Sequence, residues 1–155
     1  MNNEFMQEAI RLAIENVESG KGGPFGVVIV KDGKIIATGV NEVTANNDPT
    51  AHAEMVAIRK ACHALQSFQL TGCEIYSSCE PCPMCMGAIY WARPDSVFYA
   101  ATKEDAAKIQ FDDQFIYEEF AKPLSERKLL IRQMMREEAL IAFQKWRESD
   151  SKIPY

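Results

Sequence analysis

Phe5, Ala9, Leu12, Ala13 and Val17 recur at steps of three and four, with Glu and Arg between them, which predicts an amphipathic helix over 3–19. Gly20, Gly22, Gly23 and Pro24 end it. The period then changes. Residues 25–31 form a β-branched apolar run, Asp32-Gly33 reads as a two-residue hairpin turn, and 34–40 is the partner strand. The polar stretch 41–47 reads as a loop. Asp48-Pro49-Thr50 then turns into a helix over 50–64, with Thr50 or Asp48 near its cap. A short strand at 74–78, a helix at 82–92 closed off before Pro94, and a strand at 96–101 follow. Helix, hairpin, helix, strand, helix, strand is the order of an α/β domain with a central sheet flanked by helices.

After Thr102 the pattern loosens. A short helix fits 103–108, and the segment from Gln110 to Phe120 mixes aromatics with acids. Residues 128–135 read equally as a strand or as the start of a helix, and 137–148 reads as a helix with Leu140, Ile141, Phe143 and Trp146 on its apolar side. No repeat, linker or low-complexity segment interrupts the chain, so 1–155 is expected to be one domain with a sizeable core.

Composition narrows the function classes. Hydrophobic content of 47% and charged content of 25% are ordinary for a globular chain. The apolar runs are too short to span a bilayer, so no membrane partner and no leader are expected. The net charge is −5, with Lys and Arg scattered and acids concentrated in the second half. A protein that tracks a phosphate backbone usually presents a basic face, so this balance favours a small neutral ligand over nucleic acid. Five cysteines without a disulfide framework suit a reducing compartment, and a cytoplasmic location is expected.

The chemistry sits in two stretches, Thr50-Ala51-His52-Ala53-Glu54 and Ser78-Cys79-Glu80-Pro81-Cys82-Pro83-Met84-Cys85. They offer one imidazole, two thiols and a carboxylate. Zinc takes nitrogen and sulfur ligands in a tetrahedron, and a catalytic site keeps the fourth position for water. His52, Cys82 and Cys85 are the expected ligands. Glu54, two residues from His52, is better placed to move the protons of water than to bind the ion. A Cys-x-x-Cys pair opening a helix puts both sulfurs on one side. The helix N-terminus then favours thiolate over thiol. Pro81 and Pro83 suit that position, where an N–H would lack a partner. Cys-x-x-Cys alone also occurs in redox motifs and zinc knuckles, and its plain structural reading is two reduced buried thiols. The combination H-x-E…P-C-x-x-C is much more specific and is the established signature of zinc nucleobase deaminases. Cys79 is the nearby thiol that a four-ligand structural site would recruit. Cys62, Cys73, Cys79 and His63 are assigned to packing or surface.

Residues 22–26 (Gly-Gly-Pro-Phe-Gly), Asn41, 48–54, 78–85, 87–92, Phe111-Asp112-Asp113 with Phe115-Ile116-Tyr117, and the terminal Tyr155 resemble the cytidine-deaminase-like superfamily, and within it the bacterial guanine deaminases. The resemblance implies a three-layer α-β-α domain with a central mixed five-stranded sheet. It implies a homodimer in which the C-terminal segment, 110–155, is exchanged between subunits. It implies hydrolysis of guanine to xanthine and ammonia at Zn2+, with Glu54 and Asp113 as catalytic groups and Asn41, Phe25, Ala53, Trp91 and Tyr155 around the purine base. Each of these has a plainer reading: Phe25 as core, Trp91 as a helix end, Asn41 as a turn residue, Asp113 as a solvated loop or cap, Tyr155 as a loose terminus. Two rivals stand beside guanine deamination. One is a tRNA adenosine or nucleoside deaminase with the same zinc chemistry. The other is a non-catalytic zinc-stabilised binding domain, which would have no use for Glu54.

Overall fold

Gly26 to Val30 are buried without a break, because strand β1 (Gly26–Lys31) runs inside the sheet with helices on both faces. The computed structural model describes residues 3–155. Helix α1 (Asn3–Glu18) precedes β1, and β2 (Lys34–Val40) pairs back onto β1. Asp32 and Gly33 both take positive φ, 51° and 72°, the primed turn that matches strand twist. The site-bearing part follows as α2 (Val43–Asn46), α3 (Ala53–Leu65), β3 (Cys73–Cys79), α4 (Pro83–Ala92) and β4 (Ser96–Ala101).

The sheet has the order β2-β1-β3-β4. β1 is antiparallel to both neighbours and β3 is parallel to β4, so the sheet is mixed. Alternation along the strands divides the core in two. Val27, Ile29 and Ile75 face α3 and α4, packing with Ala53, Ala57, Ala61, Ile89 and Ala92. Val28, Val30 and Tyr76 face Ala9 of α1, with Phe5 and Phe98 alongside. Two glycines let the helices close onto the strands. A Cβ on Gly39 would stand 2.1 Å from Ala53 O, and one on Gly26 would stand 2.4 Å from Ala9 O. The first turn of α3 therefore rests directly on β2, which fixes the height of the residues that open it.

The α/β class, the mixed sheet and the flanking helices are as the sequence implies. The strand count is not: the described residues form four strands rather than five. The segment 128–135 contributes neither strand nor helix. Its first residue is held against the preceding helix. Glu119 Oε2 accepts from the Lys128 amide at 2.7 Å, and the Arg127 guanidinium donates to the carbonyls of Phe120 and Lys122 at 3.2 Å each. The chain thus folds back on the preceding helix instead of opening a ladder.

The chain divides into two compact units, one ending at Asp113 and one spanning Gln114–Tyr155. Helix α5 (Lys103–Lys108) belongs to the first and starts with a capping box between Thr102 and Asp105. The second holds α6 (Gln114–Ala121), a 3-10 turn at Leu124–Glu126, and α7 (Arg136–Glu148), none of which buries a residue. No helix among the described residues is long and apolar enough to cross a membrane.

Candidate active site

Two helix starts converge on one point. The expected cap at Asp48 or Thr50 is displaced by two residues or more: Asp48 Oδ1 accepts from the Thr50 N–H at 2.8 Å and the Thr50 hydroxyl at 2.7 Å, making a closed turn ahead of the helix. His52 is the residue that caps α3, in an extended conformation and with no capping bond from its side chain. Cys82 caps α4 in the same way, with Pro83 in the first turn. Cys85 stands three residues later and is fully buried. Both cap residues thus start a helix with their backbone while their side chains remain available to a ligand.

His52 Nδ1 lies 3.5 Å from Cys82 Sγ and 3.6 Å from Cys85 Sγ. Tetrahedral zinc arms of about 2.3 Å to sulfur and about 2.05 Å to nitrogen separate such donors by about 3.6 Å. The three ligand atoms all lie within 4.8 Å of one another and are the one such group among the described residues. Cys79 is outside it, its thiol directed at Thr102 O at 3.7 Å, and burial pushes that thiol up to about 11. The donor set therefore fits a zinc ion with three protein ligands and an open fourth position, the arrangement of a catalytic rather than a structural zinc.

Electrostatics bind the group together. A hydrogen bond from the Cys85 thiol, with the His52 ring second, pushes Cys82 down to about 4. Cys85 moves the opposite way, because the neighbouring Cys82 sulfur holds its proton and burial adds to the effect. The two thiols share one negative charge, and a divalent cation takes both as thiolates. The hydrogen bond to Cys82 raises the His52 ring, and the carboxylates of Glu54 and Asp113 reinforce it.

Glu54 is 7% exposed in the first turn of α3. Burial, joined by the Cys82 charge, raises its carboxyl above the ordinary 4.5. Asp113 is also raised, by burial first and then by Cys82, so it lies within the field of the same group. Both carboxyls therefore hold a proton more readily than an ordinary carboxyl, within the field of the His-Cys-Cys group.

Of the residues expected around a base, Ala53 is fully buried at the start of α3. Asn41 directly follows β2, at 7% exposure, its N–H donating to Phe25 O at 3.2 Å. Phe25 packs edge-to-face on Phe111, centroids 4.9 Å apart, and so tethers the Phe111-Asp112-Asp113 segment. Trp91, on the last turn of α4, is 63% exposed, and Tyr155, in the second unit, is 70% exposed.

Three residues given no role of their own from the sequence take part in this geometry. Phe111 reaches Gly23, where a Cβ would stand 3.1 Å from its ring. Glu80 accepts from the Lys103 N–H at 3.2 Å, tying the cysteine loop to the start of α5. Asn16 sits buried on the inward face of α1 beside Ala9 and Ala13. A polar residue in register with the apolar stripe was the signal available for Asn16. Nothing marks Glu80 without the fold.

The chain's relatives agree with this geometry. The family model for the cytidine and deoxycytidylate deaminase zinc-binding region matches residues 1–101. A guanine deaminase of Bacillus subtilis is 58% identical over the whole of both chains. The X-ray structure of a guanine deaminase from that organism superposes with a TM-score of 0.97, covering 100% of this chain and 99% of that one. A tRNA-specific adenosine deaminase of Aquifex aeolicus is 44% identical, over 63% of this chain and 64% of its own length.

Proposed function

The chain belongs to the cytidine and deoxycytidylate deaminase zinc-binding family, and from that premise we propose that it is a guanine deaminase, hydrolysing guanine to xanthine and ammonia. What carries the reading is the pairing of a buried carboxyl, Glu54, with a His-Cys-Cys set of zinc geometry in a chain related end to end to a guanine deaminase. The tRNA-specific relative matches only part of the chain, and a net charge of −5 gives a polynucleotide little to bind.

A zinc ion held by His52, Cys82 and Cys85 supplies a Lewis acid that lowers the pKa of water toward about 7. The protein's own groups do the rest. Glu54 takes a proton from the attacking water and delivers it to ring N3, which makes C2 electrophilic. The water oxygen bonds to C2. Glu54, with Asp113, then takes the remaining proton from the new C2 hydroxyl and passes it to the exocyclic nitrogen; the bond from C2 to that nitrogen breaks as C2=O forms, and ammonia leaves. Guanine carries no phosphate, so its affinity comes from edge hydrogen bonds and stacking. Asn41 supplies an amide at the edge, and Phe25, Ala53 and Trp91 surround the ring.

Tyr155 closes over the base, in a homodimer whose subunits exchange the part of the C-terminal segment beyond Asp113, while Phe111 and Asp113 stay with the site of their own chain. The second unit supports this, since α7 leaves Ile141, Phe143 and Trp146 more than half exposed within its own chain. The enzyme works in the cytoplasm, where its free cysteines stay reduced.

Ammonia release from a panel of guanine, adenine, cytosine, guanosine and a tRNA anticodon stem tests the reaction. Guanine alone should respond strongly, and release from guanosine or tRNA without release from guanine would overturn the assignment. Deleting Tyr155 should lower kcat/KM for guanine about tenfold, the scale of one stacked base, with zinc content unchanged. Sedimentation should give twice the 17.5 kDa chain mass. Unchanged kinetics in the truncated protein, or a monomer, would remove the exchanged tail from the mechanism.

A further inference from the structure

We propose that Asn16 is a positioning residue for purine recognition: it holds the backbone of Gly23 and Asn41 together and so sets the direction in which the Asn41 amide meets the base. This rests on Asn41 contacting the purine, as assigned above.

Asn16 occupies a core-facing position of α1, at 4% exposure, where Ala9 and Ala13 are its buried neighbours along the helix. An apolar side chain would serve packing alone. Burying an amide is unfavourable unless it is hydrogen-bonded, and this one is. Asn16 Nδ2 donates to Gly23 O and to Asn41 O, both at 2.9 Å. Those carbonyls belong to the loop before β1 and to the residue just after β2. Two carbonyl oxygens directed at one point repel each other, and the two amide hydrogens convert that repulsion into a clamp. Gly22 leaves room for this approach, since a Cβ there would stand 2.1 Å from Asn41 O and 3.0 Å from Asn16 Nδ2.

The clamp reaches the Asn41 side chain through Gly23. Asn41 Oδ1 accepts from the Val43 N–H at 3.3 Å and from the Gly23 N–H at 3.5 Å. Two backbone donors on that side identify the atom facing them as the oxygen, leaving Nδ2 as the group that can donate to an acceptor on the base. The Gly23 bond is at the limit of hydrogen-bond length, so the Asn41 amide keeps its orientation only while Gly23 stays in place. Gly23 is held at its carbonyl by Asn16. Asn16 thus acts on the substrate two bonds removed, without touching it.

Guanine kinetics, together with equilibrium dialysis of labelled guanine against proteins carrying Glu54→Gln to prevent turnover, tests this. Asn16→Ala should raise KM and weaken guanine binding about tenfold, leave kcat within about threefold, and retain one zinc per chain. In an Asn41→Ala background the same change should weaken guanine less than twofold. Equal weakening in both backgrounds would make Asn16 a general packing residue and overturn the inference, as would binding unchanged by Asn16→Ala. Should Asn16→Ala not fold, Asn16→Asp decides: it keeps the shape without the amide hydrogens, and wild-type binding by it would sink the clamp. Asn41→Ala that binds guanine like its parent also overturns the inference. A wild-type protein that releases no ammonia from guanine overturns the reaction instead, and the dialysis still decides Asn16.

Discussion

Glu54→Gln should cost about 10²–10⁴-fold in kcat for guanine, the contribution of a positioned acid–base group, while zinc stays bound at one per chain. The two side chains have the same shape, so the amide fills the space that leaves Glu54 only 7% exposed. What glutamine lacks is the ability to accept a proton from water and hand it on. The loss should fall on kcat with little change in KM, because the group acts on the reacting atoms rather than on the resting substrate. A variant that turns over near the wild-type rate would remove Glu54 from proton transfer.

Stability offers a second readout with the opposite sign. Burial raises the Glu54 carboxyl above its ordinary 4.5. In the zinc-free protein the folded state therefore binds this proton more tightly than the unfolded chain does. Between the ordinary value and the raised one, unfolding releases a proton, so Glu54 makes the zinc-free fold less stable as pH rises through that window. Glutamine has no charge to bury. The zinc-free Glu54→Gln protein should melt at or above the wild-type temperature at neutral pH, although it is nearly inactive. Lost turnover with retained or increased stability is the mark of a residue kept for chemistry at the expense of the fold.

How far the site was legible depended on where its parts lie. His52, Glu54, Cys82 and Cys85 could be read because each pair is local in sequence and the metal's coordination demands those donor types. The strands 34–40 and 96–101 were read to the residue: Asp32-Gly33 opens the first, and Pro94 closes the helix just before the second. The start of α3 was misplaced because Asp48 and Thr50, good caps by composition, spend their side chains on each other. Asn16 and Glu80 were invisible as site residues because their roles lie in contacts across 25 and 23 residues of chain. The region beyond Thr102 was hardest. Its aromatics do not fall on one helical face over a long stretch, and α6 and α7 bury nothing within this chain. Even there the helices expected at 103–108 and 137–148 match α5 and α7 to within a residue, so what stayed unread was α6 and the stretch 128–135.

Cys85→Ala should reduce bound zinc below a tenth of an equivalent and take guanine turnover to background, whereas Cys79→Ala should keep both. The two thiols are six residues apart and both buried, so the pair separates ligation from packing. Cys85 Sγ stands 3.6 Å from His52 Nδ1, at the spacing of two zinc ligands, whereas Cys79 points to the Thr102 carbonyl. Loss of one donor from three leaves two, too few for tight binding. The fold itself should survive, unlike that of a zinc finger, because the sheet packs on both faces through clusters that need no ion, from Val27 and Ile29 to Ala57 and Ile89 on one side and Val28 and Tyr76 on the other. Zinc at about 1,000 times its Kd adds about 4 kcal/mol to the native state. At about 2–4 °C per kcal/mol for a chain of this size, chelation or Cys85→Ala should lower Tm by about 10 °C in a single cooperative transition. Full zinc and activity in Cys85→Ala, or their loss in Cys79→Ala alone, would mean that the ion sits on a different set of sulfurs. Complete unfolding on chelation would mean that zinc here holds the domain together, which favours the binding-domain rival over the enzyme.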